Sequence, residues 1–250
     1  MRMNFSEGGI FKTTNMLIPL KEFDFTRRPM ICAHRGDTSL GAKENTLAAV
    51  MATESSGAEM VEVDIQFTTG GDIVCEHDAI SDGGDYERFE SIVTFAVGKL
   101  YLNIELKGFG VLNELPFIPA LLRLIDRYKV NDYVLFSSFR PEYIRELSKY
   151  APSTIIHPTN EMLGIASDTK IEDMLPSELL AMTGASTYAA SLQEIDSRRY
   201  VDIRNHNIHL SLYTVNTREE FDQAVSFGAK GLVTDVPREI IPFRKERFGA

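Results

Sequence analysis

The chain has 250 residues and carries 26 Lys and Arg against 36 Asp and Glu, a formal net charge of −10 at pH 7. With 44% hydrophobic and 25% charged residues it has the make-up of a globular protein with a sizeable core, which excludes disordered, collagen-like and disulfide-scaffold classes. The acidic balance argues against a nucleic-acid binder, which needs a basic face, and no run of roughly eighteen apolar residues is present to span a membrane.

In chain order, the first twenty residues lack a continuous apolar stretch and a small-residue cleavage pattern, so no secretory leader is expected. Cys32 and Cys75 sit in apolar surroundings and are read as two reduced core thiols, which fits a cytoplasmic protein. Short β-branched segments then alternate with longer segments of helical spacing. The strands are predicted at Met30–His34, Met60–Gln66, Leu102–Lys107, Tyr133–Ser137, Thr154–His157, weakly near Ala181–Tyr188, at Ile208–Thr214 and at Gly231–Thr234. Helices are predicted at Glu44–Ser56, Leu115–Tyr128, Pro141–Lys149, Lys170–Leu180, Leu192–His206 and Thr217–Phe227. The final Arg244-Lys245-Glu246-Arg247 run reads as a solvated tail.

Ile73–His77 breaks the rhythm, because the link from the second strand is too short for a crossover helix. It must form an antiparallel hairpin. Eight strands remain, and their number and the chain length predict one α/β domain over residues 1–250, a (β/α)8 or TIM barrel. An open doubly wound sheet is the rival, but His34-Arg35-Gly36-Asp37 stands where its Gly-rich phosphate loop would be.

Barrel enzymes work at the C-terminal ends of their strands, and polar residues gather at those ends here. Glu62 and Asp64 lie two apart and share one face of the second strand. Two buried acids on one face repel, and a hard divalent cation, Mg2+ or Ca2+, resolves that repulsion. The alternative is a solvated acid pair on an edge strand, which the apolar neighbours Val61, Val63 and Ile65 oppose. A hairpin turn centred between Gly70 and Gly71 sets His77 opposite Asp64, as a candidate general acid or base. His34 supplies a second titratable group. Glu105 completes a three-carboxylate set, while Arg35 and Lys107 offer cations for a phosphate. Together these residues describe phosphoryl transfer. His157 could face the cavity or serve structure alone, and His206 and His209 are expected to be exposed.

These stretches also resemble a known family. Ala33-His34-Arg35-Gly36, Glu44-Asn45-Thr46, Val61-Glu62-Val63-Asp64, Cys75-Glu76-His77-Asp78, Asn103-Ile104-Glu105-Leu106-Lys107, Thr214-Val215-Asn216 and Thr234-Asp235-Val236-Pro237 are similar, in order, to the glycerophosphodiester phosphodiesterases. The resemblance implies hydrolysis of glycerophosphodiesters to glycerol 3-phosphate and an alcohol. It also implies His34 and His77 as the acid/base pair, and one divalent cation on Glu62, Asp64 and Glu105. Phosphate contacts would come from Arg35 and Lys107. Glu44 falls near the metal or the substrate glycerol, or else is an acid favoured at a helix N-terminus. Tyr213 replaces a usual tryptophan and keeps an aromatic wall, or packs in the core. Residues 79–101 are shorter than the usual insertion, so the cap over the substrate is reduced. That leaves two alternatives open, a lyase or transferase forming a cyclic phosphate and a hydrolase of another small diester. A binding protein without catalysis would lack one of these histidines or acids, and all are present.

Overall fold

The computed structural model describes residues 17–81, 83–108, 115–164 and 170–249. Residues 1–16, the larger part of the stretch read for a leader, and Asp82 in the shortened insertion lie outside these residues. Eight parallel strands form the barrel: β1 (Met30–Ala33), β2 (Met60–Phe67), β5 (Tyr101–Leu106), β6 (Val134–Ser138), β7 (Ser153–Ile156), β8 (Thr187–Ser191), β9 (His209–Tyr213) and β10 (Gly231–Thr234). Each pairs with its neighbour, and β1 pairs with both β10 and β2, which closes the ring. The fold is the expected (β/α)8 barrel. Two short strands, β3 (Ile73–Cys75) and β4 (Glu87–Arg88), extend β2 as an antiparallel hairpin.

The helices are α1 (Leu47–Ser56), α2 (Phe89–Ala96), α3 (Ile118–Tyr128), α4 (Pro141–Leu147), α5 (Asn160–Leu163), α6 (Pro176–Thr183), α7 (Ser197–Asn205), α8 (Arg218–Ser226) and α9 (Pro237–Phe248). Their starts are chemically marked. Thr46 caps α1 through its hydroxyl, Asp196 caps α7, and Thr217 with Glu220 forms a reciprocal capping box on α8. Among the described residues no helix is long and apolar enough to cross a membrane. Both cysteines are buried and free, as expected.

Several expectations need correction. The weak strand near Ala181–Tyr188 is instead β8 at Thr187–Ser191, because Pro176–Thr183 continues as α6 until Gly184, with φ of 73°, ends it. The helix beginning at Glu44 starts three residues later, so Glu44 precedes the cap and is no helix-terminal acid. Helix α2 lies inside the segment read as cap. Its Ile92-Val93-Thr94-Phe95 run has strand-like composition, yet Phe89, Ile92, Val93 and Ala96 share one buried face.

The hairpin is also shifted by one residue. Ile65 pairs with Cys75 and Phe67 with Ile73, and the Thr68 amide donates to the Asp72 carbonyl, so three residues centred on Gly70 close the loop, with Gly71 at φ of 84°. The predicted Asp64–His77 pair therefore does not form, and His77 lies beyond the end of β3.

The supposed tail is helix α9, whose charges had masked it. Arg244 is only 3% exposed and donates to both oxygens of Glu59, at 2.8 and 2.6 Å. Glu59 also accepts from the Ile31 amide, which ties α9 to the first two strands. Removing the arginine leaves the mostly buried Glu59 with Arg28 as its remaining counter-charge. Arg244→Ala should lower unfolding free energy by roughly 1–3 kcal/mol in urea titration, whereas a solvated tail would tolerate the change.

Followed round the ring, the strand registers stack the inward side chains in layers of four. From the bottom, one layer holds Met60, Leu135, Thr187 and Gly231, and the next Cys32, Asn103, Thr154 and Ser211. Above them come Glu62, Ser137, Ala189 and Val233, then His34, Glu105, Ile156 and Tyr213. All sixteen line one cavity of about 780 Å3. Most apolar packing lies between the strands and the helices, with a smaller cluster of Met30, Cys32, Met60, Tyr101 and Val233 at the barrel itself.

Candidate active site

Parallel pairing of β2 with β5 sets Asp64 beside Glu105 and Glu62 beside Asn103. Alternation then turns Glu62, Asp64 and Glu105 toward one another, each offering a carboxylate oxygen within 4.8 Å of the others. All three are buried, between 1% and 8% exposed. Burial, reinforced by the charges of Asp64 and Glu105, pushes the Glu62 carboxyl well above its usual range. Burial raises Glu105 as well, opposed by the Lys107 ammonium.

The first βα loop bends back over this cluster. Arg35 and Gly36 both take positive φ, 54° and 85°, which turns the Arg35 amide to donate to Glu62 at 2.8 Å. A Cβ on Gly36 would stand 2.6 Å from the Cβ of Ala49, so the close approach of loop and α1 requires glycine. The Arg35 guanidinium reaches Glu44 at 3.1 Å and lies 3.4 Å from Asp64. Lys107 stands 2.9 Å from Glu105 and 3.2 Å from Asp64. Its burial pushes the ammonium pKa down, but the two carboxylates outweigh burial and hold it above the ordinary value.

The sequence reading therefore brings its residues together. His34, Arg35, Glu62, His77, Glu105, Lys107 and Tyr213 all line the cavity, and Asp64 touches it through its partners. Burial raises the Tyr213 phenol, so it stays neutral.

Five positioning residues escaped the sequence reading. Asp235, at the end of β10, takes the His34 Nδ1 at 2.7 Å and accepts from the Asn216 amide at 2.7 Å. Asn216 accepts from the Asp235 backbone in return. Asn45, at φ of 57°, donates to Asp64 at 2.8 Å and accepts from its amide at 2.9 Å. Gln66, buried on β2, donates to the carbonyls of Glu76 and Asp78 and so fixes the backbone on both sides of His77. Asp78 accepts from His77 Nδ1 at 2.9 Å. The available signal was neighbourhood: Asn45 and Asp235 sit inside stretches already singled out, and a buried Gln on a barrel strand is costly unless paired.

His157 belongs to none of this. It faces the helical layer, edge-on to Tyr188 at 5.8 Å, with Arg199 and the Glu172 carbonyl at its Nε2. His209 is exposed as expected, although it lines the lower mouth of the cavity. Burial, aided by Arg199, lowers the His157 pKa to about 4. The unfolded chain therefore binds this proton where the folded chain does not. Stability tied to His157 is complete above pH about 6.5 and is lost as pH falls from there through about 4. Melting temperature should drop across that window, and His157→Gln should flatten the drop.

The glycerophosphoryl diester phosphodiesterase family profile matches residues 34–90 and 82–239. A glycerophosphodiester phosphodiesterase of Caldanaerobacter subterraneus is 23% identical over 246 residues, covering 86% of this chain and 97% of that protein. An uncharacterised Bacillus subtilis protein is 26% identical, covering 84% and 96%. A Parabacteroides distasonis glycerophosphodiester phosphodiesterase structure aligns at TM-score 0.73 and 16% identity, covering 88% of this chain and 98% of that one. An Oleispira antarctica phosphodiesterase, solved with the product sn-glycerol-3-phosphate, aligns at TM-score 0.70 and 19% identity, again covering 88% and 98%. The chain belongs to the glycerophosphoryl diester phosphodiesterase family and is a phosphoric diester hydrolase.

Proposed function

We propose that this chain is a single catalytic domain that cleaves glycerophosphodiesters to glycerol 3-phosphate and an alcohol, by two-histidine acid/base catalysis. The observation that carries this is the pairing of each cavity histidine with a carboxylate at Nδ1, beside a buried acid triad. A carboxylate on Nδ1 fixes the tautomer and leaves the far nitrogen, Nε2, on the side away from it.

Glu62, Asp64 and Glu105 fit a divalent cation, Mg2+ or Ca2+. They are hard oxygen donors, and Glu62 Oε1 is buried without a hydrogen bond among the described residues. Such an ion supplies positive charge to the non-bridging phosphate oxygens. Arg35 and Lys107, which stand against the same acids, would contact the phosphate oxygens, and Glu44 keeps the Arg35 fork aimed. One histidine takes a proton from the attacking water, and the other protonates the alcohol oxygen as its bond to phosphorus breaks. Tyr213 forms the apolar wall beside the reacting groups.

Among the described residues, the segment between β3 and β4 gives the site little cover, and α2 is one of the barrel's own helices. That openness favours, as a second reading, attack by a neighbouring substrate hydroxyl to give a cyclic phosphate. The net negative charge supports a small soluble diester over nucleic acid. The free thiols Cys32 and Cys75 support a cytoplasmic setting.

Metal-stripped protein should release no glycerol 3-phosphate from glycerophosphocholine, glycerophosphoethanolamine or glycerophosphoinositol until Mg2+ or Ca2+ is added. Glu62→Ala should abolish release, and phosphorus NMR of the products separates hydrolysis from cyclisation. Turnover that survives chelation, or His34→Ala and His77→Ala variants as active as the wild type, would sink the reading.

Asp235→Asn keeps an oxygen that can accept from the Asn216 side-chain amide but removes the charge behind His34. It should lower kcat by about 10- to 100-fold with KM little changed, as loss of a histidine's orienting partner does. Asp235→Glu should recover part of the rate.

A further inference from the structure

The proposed chemistry needs Arg35 and His77 around one phosphate, yet the two sit on separate pieces of backbone. Arg35 and Glu44 belong to the first βα loop, and His77 follows β3. That short strand joins the barrel through β2 on one edge and pairs with the two-residue β4 on the other. Two contacts span the gap between this hairpin and the first loop. Lys43 Nζ donates to Glu76 Oε2 at 2.9 Å, and Glu87 on β4 accepts from the Leu47 amide at 3.0 Å.

The two contacts differ in what they serve. Leu47 is the first residue of α1, so Glu87 fills one of the amides that every helix start leaves open. The Lys43 ammonium answers no such need. Its partner Glu76 has a side chain only 16% exposed, and the other oxygen of that carboxylate, Oε1, accepts from the His77 amide at 3.1 Å. On the loop side Lys43 is followed by Glu44, which accepts from the Arg35 guanidinium at 3.1 Å. Charges therefore alternate along Arg35, Glu44, Lys43 and Glu76, and the row ends on the backbone of His77. The hydrogen bond to Glu76, with its charge, holds the Lys43 pKa above the ordinary value and keeps the ammonium charged. Lys43 is itself 66% exposed, so the pair adds little to overall stability. Placement is another matter, because a small displacement of a reacting group lowers the rate steeply.

We propose that Lys43 and Glu76 are positioning residues for His77. Their ion pair sets how far the hairpin end stands from the first βα loop, and so fixes the histidine against Arg35 and the phosphate it contacts. This inference rests on the hydrolase reading given above. Neither side chain touches the substrate; Lys43 acts through Glu76, and Glu76 acts through the His77 amide.

Lys43→Met and Glu76→Gln test it, since the first keeps the aliphatic stem and the second keeps an oxygen for the His77 amide. With glycerophosphocholine and Mg2+ or Ca2+ present, each variant should lose about three- to fivefold in kcat at nearly constant KM. The double variant should be no slower than either single one, because both remove the same contact, and Lys43→Arg should stay close to the wild type. Amide hydrogen exchange across residues 74–80 supplies a readout that needs no turnover. It should run about threefold faster in Lys43→Met while exchange in β8 stays unchanged. Unaltered exchange in that variant, unaltered kcat in both single variants, or losses that add in the double one overturn the proposal. A change confined to KM also overturns it, since that makes Lys43 a substrate contact. If the wild type cleaves no diester while exchange responds as stated, the hydrolase reading fails and the tie between hairpin and loop stands.

Discussion

Three carboxyl groups crowded into the low-dielectric mouth of a barrel are the constraint on which the rest of this structure depends. Side by side on two in-register strands, Glu62, Asp64 and Glu105 repel each other and lose hydration. Everything around them opposes that cost. The Arg35 amide is turned inward by an unusual backbone conformation, Asn45 grips Asp64 from both its donor and its acceptor side, and Lys107 is buried against two of the acids. Positive φ at Arg35 and Asn45 is unfavourable for residues with a Cβ, and it recurs here in one loop. A loop under that much constraint is one whose shape is set by what it must hold.

The same site reshapes where stability comes from. Polar side chains occupy the upper part of the barrel axis, and a smaller apolar cluster of Met30, Cys32, Met60, Tyr101 and Val233 lies beneath them. The larger dry clusters lie between the strands and the surrounding helices. One is centred on β2, β5, α2 and α3 and another on β8, β9, α7 and α8. The Glu59–Arg244 pair then fastens the last helix to the first two strands, where a closed barrel must join its two ends. In the upper barrel a functional core has displaced the hydrophobic one outward by a layer.

Much of this was legible in the sequence, and the misses share a cause. Acids and histidines at the ends of apolar β-branched runs announce a site, because burial makes such placements expensive unless they serve chemistry. Barrel closure followed from strand count and spacing. What local pattern could not convey was tertiary. Helix α2 has the composition of a strand and becomes helical through the face it buries, and Arg244 looks solvated until Glu59 is placed beside it. The hairpin register turned on a choice between a two- and a three-residue loop, which Gly70-Gly71-Asp72 permits equally. Asp235 and Gln66 act through partners more than ten residues away in sequence or across a strand pair, so no spacing rule points to them.

The reduced insertion and the strands bear on each other. An enzyme that selects among diesters needs walls around the part of the substrate that varies, and a long insertion above the strands is one way to build them. Among the described residues, the segment between β3 and α2 is a loop and a two-residue strand. The charged groups of the site rise instead from the strands and their ends, His34 after β1, Glu62 and Asp64 on β2 and Glu105 on β5. Rigid strands hold such groups more accurately than loops do, so the geometry of the site is set by the register of the barrel itself.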